Sequence, residues 1–436
     1  MKLLHYLLLC SIIFVPHNFN AQILVANNAL IRINGGAIVH CNGGVQLLNS
    51  QFDNNGSITV TKNSSFPNPG NFQLENLTLC QGNGLYAIEQ DWMNDATFNG
   101  NSGTVRLFGN TEQLITSTNG TSTMFNNLQL SGNGTGTDRR KTLTNVDLSI
   151  SLTGVLDLGN RELNGNTNSI FVTNPSSAAI TGSLNFNNEG FISNLTGGFT
   201  TWLTNSTNNY IFPVGSSDGT QRFRPVLIAP ITATSSNYAV RFNNYLADLD
   251  GFPINSKDPE IDELNNAFYH SIENLSGEPT VNLSIGYLPQ SDGDFSGMAH
   301  WNTPSVLWRN IDATNPSVLG NYSSINKINW VFNDNDTPYI LTVLGDNLEI
   351  PNVFTPNGDG INDAYFVTAK GIKEYSITIV NRWGELVFSS TDVNEKWDGT
   401  FGGKLCTEGV YFYTINAKSS VNEYKKQGHI TLTAYN

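Results

Sequence analysis

One pattern limits this chain more than any other: short runs of alternating apolar and polar residues, each closed by Asn or Gly. From Ile23 to about Gly198 they include ALIRINGGAIVHC, GSITVTKN, GTVRLFGN, NNLQLSGNG, GVLDLGN and SIFVTN. Ile58/Val60, Val105/Leu107 and Leu128/Leu130 are spaced by two, the period that puts side chains on one face of a strand. Asn and Gly tolerate left-handed backbone and collect where strands turn. The runs recur roughly every 20 to 30 residues with no helical spacing between them. Stacked rungs of this kind predict a β-solenoid over residues 22–199, and an antiparallel sandwich is the competing reading.

Near Thr200 the runs lengthen and gain aromatics: NNYIFPVG, RFRPVLIAP, NYAVRFNNY, AFYHSIENL, TVNLSIGYLP, SVLWRNI, KINWVFND and PYILTVLG. Strands of this spacing with turn signals between them predict a β-sandwich over residues 200–346. Pro213, Pro225, Pro230, Pro253 and Pro259 belong at strand ends or edges. The polar stretch from Ala247 to Asn266 reads as a surface loop with one helical turn. The fold class expected for the whole chain is all-β.

Charged residues make up 13% of the chain, against about 25% in ordinary globular proteins. The net charge of −14 excludes a nucleic-acid partner, whose phosphates call for a basic face. From Glu349 onward there are 8 Lys/Arg and 10 Asp/Glu, so most of the acidity lies upstream. The N-terminus, MKLLHYLLLCSIIFVPHNFNAQ, has one Lys, an apolar run from Leu3 to Val15 and a small residue at Ala21. Residues 1–21 therefore read as an export signal cleaved after Ala21, with Cys10 removed in it. No later segment is apolar enough to span a bilayer as a helix. Cys41, Cys80 and Cys406 remain. Cys41–Cys80 is the candidate bridge, with unpaired buried thiols as the alternative. His40, His270, His300 and His429 are too scattered for a zinc site.

Few residues suggest catalysis. GSSDG, from Gly215 to Gly219, matches the GxSxG nucleophile pattern, but strand-like residues flank it on both sides, where the motif needs a strand-to-helix turn. Asp91/Asp95 and Asp157/Glu162 are the sparse carboxylates that a polysaccharide-cleaving solenoid would use as acid and base. Asp292/Asp294 and Asp334/Asp336 alternate as calcium ligands can. Trp301 and Trp308 could stack on sugars, with core packing as the alternative. No catalytic set converges, and the expectation is a protein that is not an enzyme.

The tail is more specific. In FTPNGDGIND, placing Asn357 at position 3 of a calcium loop puts Asp359 at 5, Gly360 at 6 and Asp363 at 9. Position 1 is then Thr355 and position 12 Phe366, so both ends fail. Asn357, Asp359 and Asp363 are candidate calcium ligands, and a tight turn held by Asx hydrogen bonds is the alternative. Ile377/Ile379 and Val410/Phe412 alternate as half-buried strands, and Arg382 can stack or pair beside Trp383. Four motifs follow in order: FTPNGDGIND (Phe354, Thr355, Pro356, Asn357, Gly358, Asp359, Gly360, Asn362, Asp363), NRWGELVF (Asn381, Arg382, Trp383, Gly384), WDGT (Trp397, Asp398, Gly399) and GVYFY (Gly409, Tyr411, Tyr413). In this order they resemble the gliding motility-associated C-terminal domain, the type B sorting domain of the type IX secretion system of Bacteroidetes. The resemblance covers residues 349–436. The terminus, TLTAYN, lacks the basic residue many members carry.

That resemblance implies a small antiparallel β-sandwich read by the outer-membrane secretion machinery, and hence a secreted or cell-surface protein. The rest is cargo. Its expected role is an adhesin-like or structural module. The alternative is a carbohydrate-active enzyme or glycan-binding protein acting through the solenoid or central sandwich, with surface glycans as partners. No cofactor is expected beyond the candidate calcium.

Overall fold

The computed structural model describes residues 18–21, 23–64, 70–185, 188–332, 338–419 and 422–433. The apolar leader with Cys10, the pair Asp334/Asp336 and the last three residues lie outside the described residues. The protein is all-β, with 52% strand and 3% helix. It divides into two compact units: residues 1–223 with 232–241 and 274–278, and residues 224–231, 242–273 and 279–436.

In the first unit most strands pair in parallel with the strand three along the chain. One turn is Ile38–Asn42, Val45–Leu48 and Gln51–Asn54, and the next is Ser57–Thr61, Phe72–Glu75 and Leu79–Gln81. Ile38 pairs with Ser57, Val45 with Phe72, and Gln51 with Leu79. Repetition of this winding builds two eight-stranded sheets along two faces. The third face begins with Leu30–Ile33 and includes Thr123–Phe125, Leu148–Ile150 and Ile170–Val172. Connections of unequal length between strands, such as 108–112 against 43–44, make the sequence period irregular.

The corners explain the Asn content. Asn28, Asn49, Asn76, Asn145 and Asn166 all have φ between 47° and 57° and sit between the second and third faces. Asn is among the few non-Gly residues that occupy this left-handed region readily. The interior is filled by the alternating residues: Ile58, Val60, Leu107 and Leu128 are fully buried. Phe52, Phe72, Tyr86, Trp92, Phe98 and Phe125 form a continuous aromatic column, with Phe72 stacked on Trp92 at 5.2 Å. The stack does not stop at residue 199, where the composition shifts. Thr200–Thr204 is a further rung, parallel to Ile170–Val172, and Ser236–Asn243 then pairs with it antiparallel. Antiparallel pairing ends the winding, because such strands need no crossover.

The second unit holds two antiparallel sheets. One orders Val226–Pro230, Thr280–Tyr287, Tyr322–Val331 and Thr314–Leu319. The other places Pro338–Leu344 between Gly297–Asn302 and the strands Ile261–Leu264 and Tyr269–Ser276, with Leu307–Asn310 outside Gly297–Asn302. Trp301 and Trp308 meet edge to face at 5.5 Å, are 5% and 0% exposed, and pack with Tyr269 and Ile340. They are core residues, so neither can stack on a sugar. Ala247–Asp250 is the helical turn expected within Ala247–Asn266, a 3-10 turn.

The tail forms a five-stranded sheet ordered Val353–Phe354, Glu423–Leu432, Gly409–Ser419, Ile372–Val380 and Leu386–Ser390. Ile377 and Ile379 point inward as expected. The phase of Gly409–Ser419 differs: Tyr411, Ile415 and Ala417 are buried, while Val410 and Phe412 are exposed. The aromatic Tyr411 completes the core around Trp397, so its apolar neighbours must face outward. Asp346 accepts from Ser419 Oγ and from Asn422 Nδ2, and Lys373 pairs with Asp312 and Glu260, fixing the tail to the two sheets before it.

Candidate functional site

The four tail motifs meet around one core, and most of their residues build it. Phe354, Tyr365, Trp397 and Tyr411 are 1–4% exposed, and the Trp397 ring lies 5.1 Å from both Phe354 and Tyr411. Trp397 Nε1 donates to Thr400 O at 2.9 Å, and the Tyr411 hydroxyl to Thr407 O at 2.6 Å. Asp398 accepts from the Thr400 amide and hydroxyl, closing the WDGT turn. Gly399 has φ +78°, and a Cβ there would lie 3.1 Å from Pro356 Cγ and 3.4 Å from Phe354. WDGT therefore ties FTPNGDGIND to the sheet. Tyr413 is partly buried against the same core, its hydroxyl filling the space where a side chain at position 428 would go.

In the loop, Thr355 N donates to Asn362 O at 2.8 Å, and Asn362 takes φ 55° to allow it. Both Asp363 oxygens are taken up, by Gly358 N at 2.6 Å and Gly360 N at 2.7 Å. These amides hold the Asp363 carboxyl below its ordinary range. Asp359 accepts from Ile361 N, and Asn357 exchanges hydrogen bonds with Asp359. These are Asx-type hydrogen bonds that close the turn. Among the described residues no group of three or more His, Cys, Asp or Glu is placed to hold a metal.

NRWGELVF behaves differently. Asn381 Oδ1 accepts from Trp383 N and Glu385 N, and Gly384 turns at φ +81°, so the hairpin tip is fixed by its own Asn. Fixing the tip holds Trp383 outward at 80% exposure. Among the described residues Arg382 has no ion-pair partner and does not stack on Trp383; its guanidinium lies over Gly409, where a Cβ would come within 2.9 Å. Trp383, Phe401, Leu405 and Val410 line a cleft of about 200 Å³ with Arg382, Lys404 and Glu408 at its rim. Phe401 and Leu405 belong to a tight hairpin through Gly402 and Gly403. The sequence marks that turn by GG but does not mark its contact with Trp383.

The other candidates separate. Asp95 accepts from Ser117, Thr118 and Asn119, and Asp91 from Leu114 N, so both close corners of the stack. The Asp292 side chain is fully buried in an ion pair with Arg224 at 2.5 Å, while Asp294 is exposed. Cys41 and Cys80 are buried free thiols on different sheets, the alternative to the candidate bridge; Cys80 Sγ lies 3.7 Å from the Tyr86 hydroxyl.

One convergence was not legible in sequence. GSSDG forms the expected hairpin, with Gly215–Ser216 paired to Arg222–Phe223, and delivers Ser217 and Asp218 to the end of the stack. There Arg140 Nε lies 3.2 Å from Glu162 Oε2 and 3.0 Å from Ser217 Oγ, and its Nη2 reaches Asp218 at 2.5 Å. Ser217 and Ser193 hydroxyls donate to the two Glu162 oxygens. Glu162 is fully buried and paired with a guanidinium, an arrangement that neutralises charge and suits it to structure over proton transfer.

No curated protein and no solved structure matches the chain. Among the described residues no helix is long and apolar enough to cross a membrane. Residues 348–432, a fifth of the chain and the whole frame of the four motifs, match the family model of the CHU_C Type IX secretion signal domain, so the C-terminal segment carries a signal for that secretion system.

Proposed function

We propose that this chain is a secreted or cell-surface protein whose body is non-enzymatic cargo, an adhesin-like or structural module, carried outward by its C-terminal domain. Residues 1–21 take it to the periplasm and are removed there. The secretion machinery at the outer membrane then engages the tail. The family match at residues 348–432 carries the export reading. The exposed cleft around Trp383 is the surface on this domain that a protein partner would use, because Trp383, Phe401, Leu405 and Val410 leave apolar surface exposed there. Deleting residues 349–436 strands the body in the periplasm; surface delivery of that truncation overturns the reading.

We read the body as a β-solenoid followed by a β-sandwich, strand-built modules suited to display. Its non-catalytic character is supported by the ion pairing of Arg140 with Glu162 and Asp218, which holds the Glu162 carboxylate buried. A carbohydrate-active enzyme needs its carboxylates free to exchange protons in an open groove. The loop from Asn357 to Asp363 reads as a turn before a calcium site, since its own amides donate to the carboxylates. An unchanged melting temperature of the full chain in calcium or chelator is the expected result.

A further inference from the structure

On the first face of the stack, outward positions on neighbouring strands form two columns. Ala87, Arg106, Gln129 and Asp157 pair in register, and beside them Leu85, Thr104 and Asn127 do the same. Between the columns runs an open groove of about 440 Å³, within the range of ligand sites. The groove holds unused hydrogen-bonding groups. The Arg106 side chain makes no hydrogen bond or ion pair with any described residue, its Nε is buried without a partner, and it lies over the Phe108 ring at 5.7 Å. Thr104 Oγ1 and Gln129 Oε1 have no partner among the described residues either. Asp157 accepts from Gln129 Nε2 at 3.1 Å, Gly159 N at 3.0 Å and Thr181 Oγ1 at 3.3 Å, and lines the same groove.

We propose that this groove binds a linear, uncharged glycan running across the strands. Three features select that occupant. Arg106 and Asp157 lie two strands apart without pairing, so the groove offers alternating donors and acceptors but no net charge, as a polyhydroxyl chain requires. Anionic polymers meet a protein of net charge −14 and no surplus of cations in the groove. The strand repeat of about 4.8 Å is close to the length of one pyranose unit, so successive sugars meet successive strands. Leu85 and Val155 offer apolar surface for sugar C–H faces. The groove has one carboxylate and no second acid or base opposite it, which makes it a binding site.

This site deepens the adhesin-like reading and rests on it. The test is calorimetric titration of the full chain with soluble neutral oligosaccharides of glucan, xylan and mannan type, and with polygalacturonate as the charged arm. At least one neutral oligosaccharide binds; Arg106→Met weakens it by about tenfold or more, the loss of charge-assisted hydrogen bonds. Thr104→Val weakens it a few-fold and keeps the strand. No neutral binding, binding unchanged in both variants, or preference for polygalacturonate overturns the proposal. On cells, if the Arg106→Met/Thr104→Val variant attaches normally but deletion of the body abolishes attachment, the groove is wrong and the adhesin-like reading stands. If deletion of the body changes nothing, that reading falls too.

Discussion

Replacing Arg140 by Ala tests whether the end of the stack depends on a buried charge pair. Glu162 is 0% exposed and Arg140 11%, while Asp218, the outer partner, is 57% exposed. Without Arg140 the Glu162 carboxylate keeps the Ser193 and Ser217 hydroxyls as donors and only the unbonded charge of Arg139 nearby. An uncompensated buried charge costs about 3–5 kcal/mol. Removing Asp218 breaks an exposed contact worth about 0.2–1 kcal/mol. At about 2–4 °C per kcal/mol for a unit of this size, Arg140→Ala lowers its melting temperature by about 6–20 °C and Asp218→Ala by a few degrees at most. Replacing both members, Arg140→Leu with Glu162→Leu, recovers most of the loss, because no charge is left stranded. Hydrogen exchange at residues 140–144 and 162–164, read by mass spectrometry with thermal melts of the full chain, separates this unit from the other. Equal effects of Arg140→Ala and Asp218→Ala would refute the argument.

The remaining predictions concern pH, the turn and the cleft. Lys141 is buried, donates to Gly109 O at 2.9 Å and Gln113 Oε1 at 2.5 Å, and burial with Arg161 nearby pulls it down to about 7. Between there and 10.5 the unfolded chain holds a proton the folded chain lacks, so stability rises with pH over that window, and Lys141→Met flattens the slope in urea titrations. Burial likewise lowers His270 to about 4; stability is lost as pH falls from 6.5 toward 4, and His270→Gln reduces that acid sensitivity in melts at pH 4.5 against pH 7. Gly399→Val forces a branched side chain to φ +78° against Pro356 and Leu432 and destabilises the tail by about 1–3 kcal/mol, measurable by exchange at residues 409–419. Trp383→Ala leaves the tail's stability within about 0.5 kcal/mol, since the side chain is 80% exposed, but reduces surface delivery in a fractionation assay; unchanged delivery removes the cleft from the recognition surface.

Period and punctuation determined a good deal without a structure. Alternation fixed which residues face inward at Ile58/Val60 and Leu128/Leu130, because a strand's two faces are set locally. Asn at the corners announced left-handed turns, a property of single residues. The four tail motifs were legible as a set because turn glycines and core aromatics must keep their order in a small domain. The tertiary structure decided what depends on distant segments. Parallel pairing carried Thr200–Thr204 into the stack past the composition break, and core packing around Trp397 reversed the phase of Val410 and Phe412. Arg140, Glu162 and Asp218 became one cluster only when a hairpin folded back on the end of the stack. The columns at Arg106 and Asp157 likewise exist only through strand register. Local sequence sets the strand and its turn; which strands become neighbours, and hence which side chains share a site, is set by burial summed over the whole fold.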